Sequence, residues 1–264
     1  MIIDNHNILG ESPIWNYMNE TFYWVDICDK KIKSMNDYQI IEYDIIKSPT
    51  CLFLKDNNNI ITTLEDGIGI YDFRINKFNY LTTINNKNVR FNDGKCDKNG
   101  IIHIGTMDRL EKNQIGSIYK YVNNEFIEIK NSIGIPNGIS FSKNNKMYYS
   151  DSLTKKIYTL EDNNEKLLYK YDNCSPDGST IDIQDNYYSC LWEGSSIDIF
   201  NNKDDLIHKT ELPFLCPTCC CFGGANLNKL LITSSSLIYN SYHNGKLCLL
   251  NDINTGIKEP IALI

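Results

Sequence analysis

The stretch PNGISFSKNNKMYYSDSLTKKIYTL, residues 136–160, decides the fold. A polar residue between Pro and Gly leads into a short strand, ISFS (139–142), and a polar turn, KNNK (143–146). A strongly apolar run follows at MYYSDS (147–152), then a second turn, SLTKK (152–156), and a third strand, IYTL (157–160). β-Branched and aromatic residues crowd the runs while Asn, Lys and Gly fill the gaps. That is strand-and-turn patterning, with no helical period.

Moving outward, the central run recurs. FYWVDI (22–27), IITTL (60–64), IIHIGT (101–106), YYSCLW (187–192) and LLITSS (230–235) match it, with steps between successive starts of 38, 41, 46, 40 and 43 residues. GSIYKY (116–121) and SSIDIF (195–200) fill the third-strand position, and DKNG (97–100) repeats the first turn. A strand unit of this length, repeated through the chain, predicts propeller blades of four strands each. Sandwiches seldom hold such a period. The expectation is an all-β, six-bladed β-propeller occupying residues 1–264 as a single domain, with irregular fourth strands at the solvent edge.

Composition sets further bounds. The chain carries 33 acidic and 26 basic residues, a formal charge of −7. That balance disfavours nucleic acid or an anionic membrane as partner and suits cation binding. No apolar run approaches the roughly 18 residues of a membrane span. The start, MIIDNHNILG, has neither a basic segment nor an apolar signal core, so a cytoplasmic location is expected. Ten cysteines then read as reduced thiols. Only three arginines occur, Arg74, Arg90 and Arg109, so one inside a motif carries weight.

Four motifs precede apolar runs: GESPIW (10–15), RFNDGK (90–95), PNG (136–138) and PDG (176–178). Their oxygen-bearing residues, Glu11, Asp93, Asn137 and Asp177, lie about ten residues before each run, at near-equivalent places in blades one, three, four and five. Blade two offers Thr50 there and blade six Cys219. Equivalent positions at the start of inner strands face one mouth of the central channel, so distant residues meet. Hard oxygen donors of this kind suit Ca²⁺, Mg²⁺ or Mn²⁺ and are acceptable to Zn²⁺. Without a cation, packed carboxylates repel. Taken singly, Asp93 and Asp177 also read as caps of tight Asp-Gly turns. Arg90 and Asn92 flank the same mouth and could hold a hydroxylated or anionic substrate.

These motifs, with D-x-x-G and GTM following RFNDGK, YYSDS following PNG, and CCFGG at 220–224, resemble those of the gluconolactonase/regucalcin (senescence marker protein 30-like) family. The resemblance runs from about residue 9 to about 250. It implies a six-bladed propeller with one divalent metal ion and hydrolysis of sugar-acid lactones. By position it implies Glu11, Asn137 and Asp177 as metal ligands, Asp177 also as general base, and Arg90 and Asn92 as substrate-binding residues. The family often carries an acidic residue after GTM that reaches the sugar. Here the loop DRLEKNQIG (108–116) offers Asp108 or Glu111. The partner expected is a small sugar lactone, with no obligate protein partner evident.

Other readings are weaker. Cys216, Cys219, Cys220 and Cys221 contain a C-x-x-C step but lack a second pair for zinc, and read as buried apolar residues. His103 lies inside an apolar run and reads as core or channel lining. No nucleophile elbow or phosphate loop is present. The alternatives are a non-catalytic calcium-binding regulatory propeller, a related metal-dependent esterase or organophosphate hydrolase, and an interaction propeller, which the missing G-H…W-D repeats disfavour.

Overall fold

The computed structural model describes residues 1–162, 164–239 and 243–264, and their regular structure is strand throughout. Among the described residues, twenty-four strands form six four-stranded antiparallel sheets. Each sheet has one innermost strand: Gly10–Asn16, Pro49–Leu54, Val89–Cys96, Pro136–Phe141, Ser175–Ile181 and Pro217–Gly223. Each inner strand touches the next, and the last touches the first, so the sheets close into a six-bladed β-propeller.

One strand departs from chain order. The outer strand of blade six is Ile2–Ile3 from the N-terminus, which pairs with Leu247–Asn251. The Met1 ammonium adds a hydrogen bond to the Leu249 carbonyl at 2.8 Å. The repeat pattern counts six blades without using these residues. Their contribution is to tie the two ends of the chain into one sheet, which resists opening of the ring.

The apolar runs are the second strands, and burial explains why they do not alternate. Thr21–Asp26 and Met147–Asp151 are buried at every residue because both faces pack against neighbouring blades. Outer strands such as Gln39–Asp44 and Leu206–Glu211 are largely exposed. The apolar packing divides into six clusters, each between two adjacent blades. Trp15, Phe22 and Trp24 of blade one meet Leu231 and Leu249 of blade six, while Ile14, Tyr23 and Val25 meet Leu52, Ile60 and Tyr71 of blade two.

The channel is covered at one end. Residues 252–264 cross the face where the inner strands finish and bond to several blades in turn. Ile183 donates to Thr255, Gly256 to Leu227, Ala262 to Leu54 and Leu263 to Gly100. Glu259 reaches in to pair with Lys95 at 3.0 Å, with both side chains largely buried. Among the described residues no helix is long and apolar enough to cross a membrane.

Candidate functional site

The other end of the channel stays open, and one backbone device shapes it. In every inner strand the pairing register slips by one residue near the start. Two inner residues therefore oppose one on the second strand, which is a β-bulge repeated six times. The residues in the slip are Ser12–Pro13, Thr50, Asn92–Asp93, Gly138–Ile139, Asp177–Gly178 and Thr218–Cys219.

The slip begins at Thr50, Asn92, Asp177 and Thr218 in four blades and directly after Glu11 and Asn137 in the other two, which gives six residues at the start of the bulges. Four of them, Glu11, Asn92, Asn137 and Asp177, line a cavity of about 380 Å³ at the open mouth. The two threonines do not. Thr50 is bonded to Thr63 at 2.7 Å, and Thr218 to Thr233 at 2.8 Å and to the Gly10 carbonyl at 2.5 Å. The polar arc is thus built from blades one, three, four and five.

This register revises two equivalences drawn from residue counting. Asn92, not Asp93, shares the place of Asp177 in the bulge and lines the mouth with Glu11 and Asn137, and Thr218, not Cys219, is the match in blade six. Counting to the apolar run cannot resolve a single residue when connecting turns vary in length. Asp93 holds the second bulge position, where its carboxylate accepts the Ile139 N–H of the next blade at 3.1 Å. Ser12 does the same in blade one, its hydroxyl accepting the Leu52 N–H at 2.9 Å. Asp93 is therefore a stitch between blades three and four, beneath the mouth.

The glycines of PNG and PDG have a packing reason as well as a turn reason. Gly138 has φ of 57°, and a Cβ there would sit 2.6 Å from the Tyr187 hydroxyl. A Cβ on Gly178 would sit 2.4 Å from Cys219 Sγ. Both distances are impossible contacts, so close approach of the next blade requires glycine.

The electrostatics are unbalanced. Burial raises the Glu11 carboxyl well above its usual range, and the charges of Asp177 and Asp93 raise it further, with Arg90 opposing weakly. Burial and Asp93 push Asp177 up in the same way. Burial holds Asp93 at about 6, restrained by backbone N–H groups and by Lys95. Several acids crowd one low-dielectric mouth, a conflict that either protonation or a cation relieves. Among the described residues no group of three or more His, Cys, Asp or Glu side chains is placed to hold a metal. The expected ligand set contains only two such side chains, Glu11 and Asp177. Its third donor is the Asn137 amide oxygen. This hard, oxygen-only set with its uncompensated charge fits a divalent cation.

Hydrogen bonds fix the rest. Asn137 donates its amide N–H to Ser152 Oγ at 2.8 Å and accepts from Asn92 Nδ2 at 2.7 Å, so its oxygen end is defined. Asn92 Nδ2 also donates to the Pro136 carbonyl at 3.0 Å, and Ser152 donates to the Pro176 carbonyl at 2.6 Å. Arg90 donates to Asn92 Oδ1 at 3.0 Å and pairs with Glu111 at 3.4 Å. Glu111 therefore lies in the mouth with Arg90. Asp108 does not line it: its carboxylate accepts the N–H groups of Leu110, Lys112 and Asn113 and the Asn113 amide, holding the 108–116 loop in shape.

The chain just before each key residue is anchored too. Asp26 accepts the N–H groups of Ile8 and Leu9 ahead of Glu11, and Asp151 accepts those of Gly134 and Ile135 ahead of Asn137. Asp26 is buried beside Lys33 at 3.4 Å. Neither aspartate nor Ser152 stands out in the sequence as a positioning group, although the Asp that ends both FYWVD and YYSD marks the same strand position. The four cysteines at 216–221 lie inside: Cys220 packs with Cys190 and Tyr188, and Cys221 with Trp15 and Phe22. His103 is buried against the Phe141 ring at 4.5 Å, between blades three and four.

Residues 9–236 match the family described as SMP-30/Gluconolactonase/LRE-like region. The chain is 30% identical to YvrE of Bacillus subtilis, a candidate sugar lactone lactonase, over 88% of this chain and 85% of that one. It is 27% identical to human regucalcin over 85% of this chain and 82% of the other. The structure superposes on a calcium-binding regucalcin from Agrobacterium tumefaciens with a TM-score of 0.95 at 20% identity, covering 100% and 97% of the two chains. The chain belongs to the SMP-30/gluconolactonase/LRE-like family.

Proposed function

We propose that this protein is a metal-dependent lactonase acting on sugar-acid-type cyclic esters. The observation that supports it best is the pair of buried, charge-raised carboxylates, Glu11 and Asp177, beside a defined amide oxygen at an open mouth. In this reading Glu11, Asn137 and Asp177 hold one divalent ion, Ca²⁺, Zn²⁺, Mg²⁺ or Mn²⁺. When bound, such an ion supplies neutralisation of the two carboxylates and Lewis-acid polarisation of an ester carbonyl.

The chain's own groups do the remaining work. Asp177 takes a proton from the attacking water, the role of a positioned carboxylate base. Arg90 and Asn92 orient the ring of the substrate, and Glu111 keeps the Arg90 guanidinium aimed along the mouth. Ser152 holds Asn137 by its nitrogen, leaving the oxygen end for the site. The loop 108–116, braced by Asp108, forms one wall. That a Bacillus subtilis relative carries a sugar lactone lactonase name supports the reaction class.

The test is proton release from a panel of aldonolactones by metal-stripped protein, with each of the four ions added back singly. Activity restored by one ion, and absent in folded Glu11→Gln and Asp177→Asn, is expected. Undiminished hydrolysis after complete metal removal would sink the metal-dependent mechanism. A second reading, a calcium-binding propeller without turnover, is favoured by the calcium-binding description of the Agrobacterium neighbour. Tight Ca²⁺ binding with no turnover across the panel would select it.

A further inference from the structure

Two cations line the mouth, Arg90 and Lys155, and only one of them is balanced. Arg90 pairs with Glu111 at 3.4 Å. Lys155 stands on the turn between the second and third strands of blade four. Its ammonium donates to the Asp172 carbonyl at 3.1 Å, and among the described residues no carboxylate pairs with it. Once an ion offsets Glu11 and Asp177, Lys155 is the charge left over.

Two further donors belong to the same side. The Tyr171 N–H bonds the Lys155 carbonyl at 2.9 Å, so backbone and side chain of Lys155 both hold the connection that leads into Ser175. Ser175 and its cross-strand neighbour Trp192 line the cavity. Among the described residues, neither the Ser175 hydroxyl nor the Trp192 indole N–H has a protein partner. The next acid along, Glu193, is engaged elsewhere, its carboxylate accepting from the Tyr239 hydroxyl at 2.7 Å. With the Trp192 ring, Leu153, Leu237 and Ile238 form apolar walls of the mouth.

We propose that Lys155, Ser175 and Trp192 form an anion subsite that receives a phosphate ester on the exocyclic carbon of the sugar lactone. This rests on the lactonase reading and names the substrate class within it. Three donors suit the three free oxygens of a phosphate ester, and the lysine supplies the charge. The spacing agrees. Ser175 precedes Asp177 by two residues, about 6–7 Å further out along an extended strand. A phosphate on that carbon stands five bonds from the ring carbonyl carbon, a comparable span. Charge sets the orientation, because Glu111 beside Arg90 repels a dianion and Lys155 attracts it.

The experiment measures kcat/KM of the full chain, with the ion that restores activity, for glucono-δ-lactone, its 6-phosphate and glucaro-1,5-lactone, whose arm ends in a carboxylate. The 6-phosphate should exceed glucono-δ-lactone by at least about tenfold, chiefly through KM, as one charge-assisted hydrogen bond is worth. The carboxylate arm should fall between them. Lys155→Met should bring the ratio of 6-phosphate to parent lactone to about one, and Lys155→Arg should keep most of it. Ser175→Asp leaves the backbone ties of Lys155 alone and should invert the ratio by like-charge repulsion. Calorimetric titration gives a readout without turnover: 6-phosphogluconate should bind at least about tenfold tighter than gluconate, a difference lost in Lys155→Met. A ratio of one or below in the unaltered protein, a carboxylate arm preferred to a phosphate, or a ratio that survives both Lys155→Met and Ser175→Asp overturns the inference and leaves the lactonase reading standing. No hydrolysis of any of the three lactones overturns both.

Discussion

The two ends of the channel are made from the same six strands and have opposite characters. At the open end, the inner strands of blades one, three, four and five present oxygen-bearing side chains, and the charges of Glu11 and Asp177 among them are not offset. At the covered end, the C-terminal segment supplies Glu259 to Lys95 and its backbone to blades two, three, five and six. One end is arranged for stability and the other carries an electrostatic conflict. That division is the pattern expected where a fold supports a reactive site at a cost in local stability.

The sharpest way to break this comparison is at the open end. Asp177→Asn should lower lactone turnover by about 10²–10⁴-fold, the usual worth of a positioned base. Its melting temperature in the absence of metal should hold or rise, because a repelling buried charge is gone. A fall in both activity and stability would instead make Asp177 a structural residue. Activity assays paired with thermal melts separate the two outcomes.

At the covered end the expected response is reversed. Glu259→Gln leaves the Lys95 ammonium buried without its partner and should cost about 3–5 kcal/mol in denaturant unfolding. Turnover per folded molecule should not change. The double variant Lys95→Met with Glu259→Gln should recover much of the loss, which a double-mutant cycle measures.

Acid sharpens the comparison next. Burial depresses His103 to about 4 against an ordinary value near 6.5, so the folded chain holds it neutral while the unfolded chain takes up a proton. Its contribution to stability is complete above pH 6.5 and is lost as pH falls toward 4, by up to about 3 kcal/mol. Unfolding free energies measured across that window should decline with acid, and His103→Phe should flatten the slope.

The smallest expected effect is from the metal. A hundredfold excess of Ca²⁺ over its Kd should stabilise the fold by about 2.7 kcal/mol, seen as a rise of roughly 5–10 °C in Tm. Glu11→Gln should abolish most of that rise, whereas Glu259→Gln should retain it.

The fold was legible in the sequence because a propeller repeats. The second strands are buried between blades on both faces, so each leaves an unbroken apolar run at a near-constant interval. Glu11, Asn137 and Asp177 were legible for a related reason: their motifs precede those runs. The apolar walls were not, since Leu153, Trp192, Leu237 and Ile238 sit in connections or at strand ends where spacing varies and no period marks them. The same variation hid the difference between Asn92 and Asp93.

The sequence by itself determined the number of blades, the strand order within each, and the acidic and amide residues near one end of the inner strands. Local side-chain pattern specifies these, because a strand of period two and a turn of given chemistry are read over a few residues. Tertiary structure alone decided which residue at each bulge faces the mouth, that Asp93 stitches blades while Asn92 lines the mouth, and that Ile2–Ile3 and residues 252–264 close the ring and its far end. Those choices depend on one-residue register and on contacts between segments more than two hundred residues apart, which no local pattern encodes.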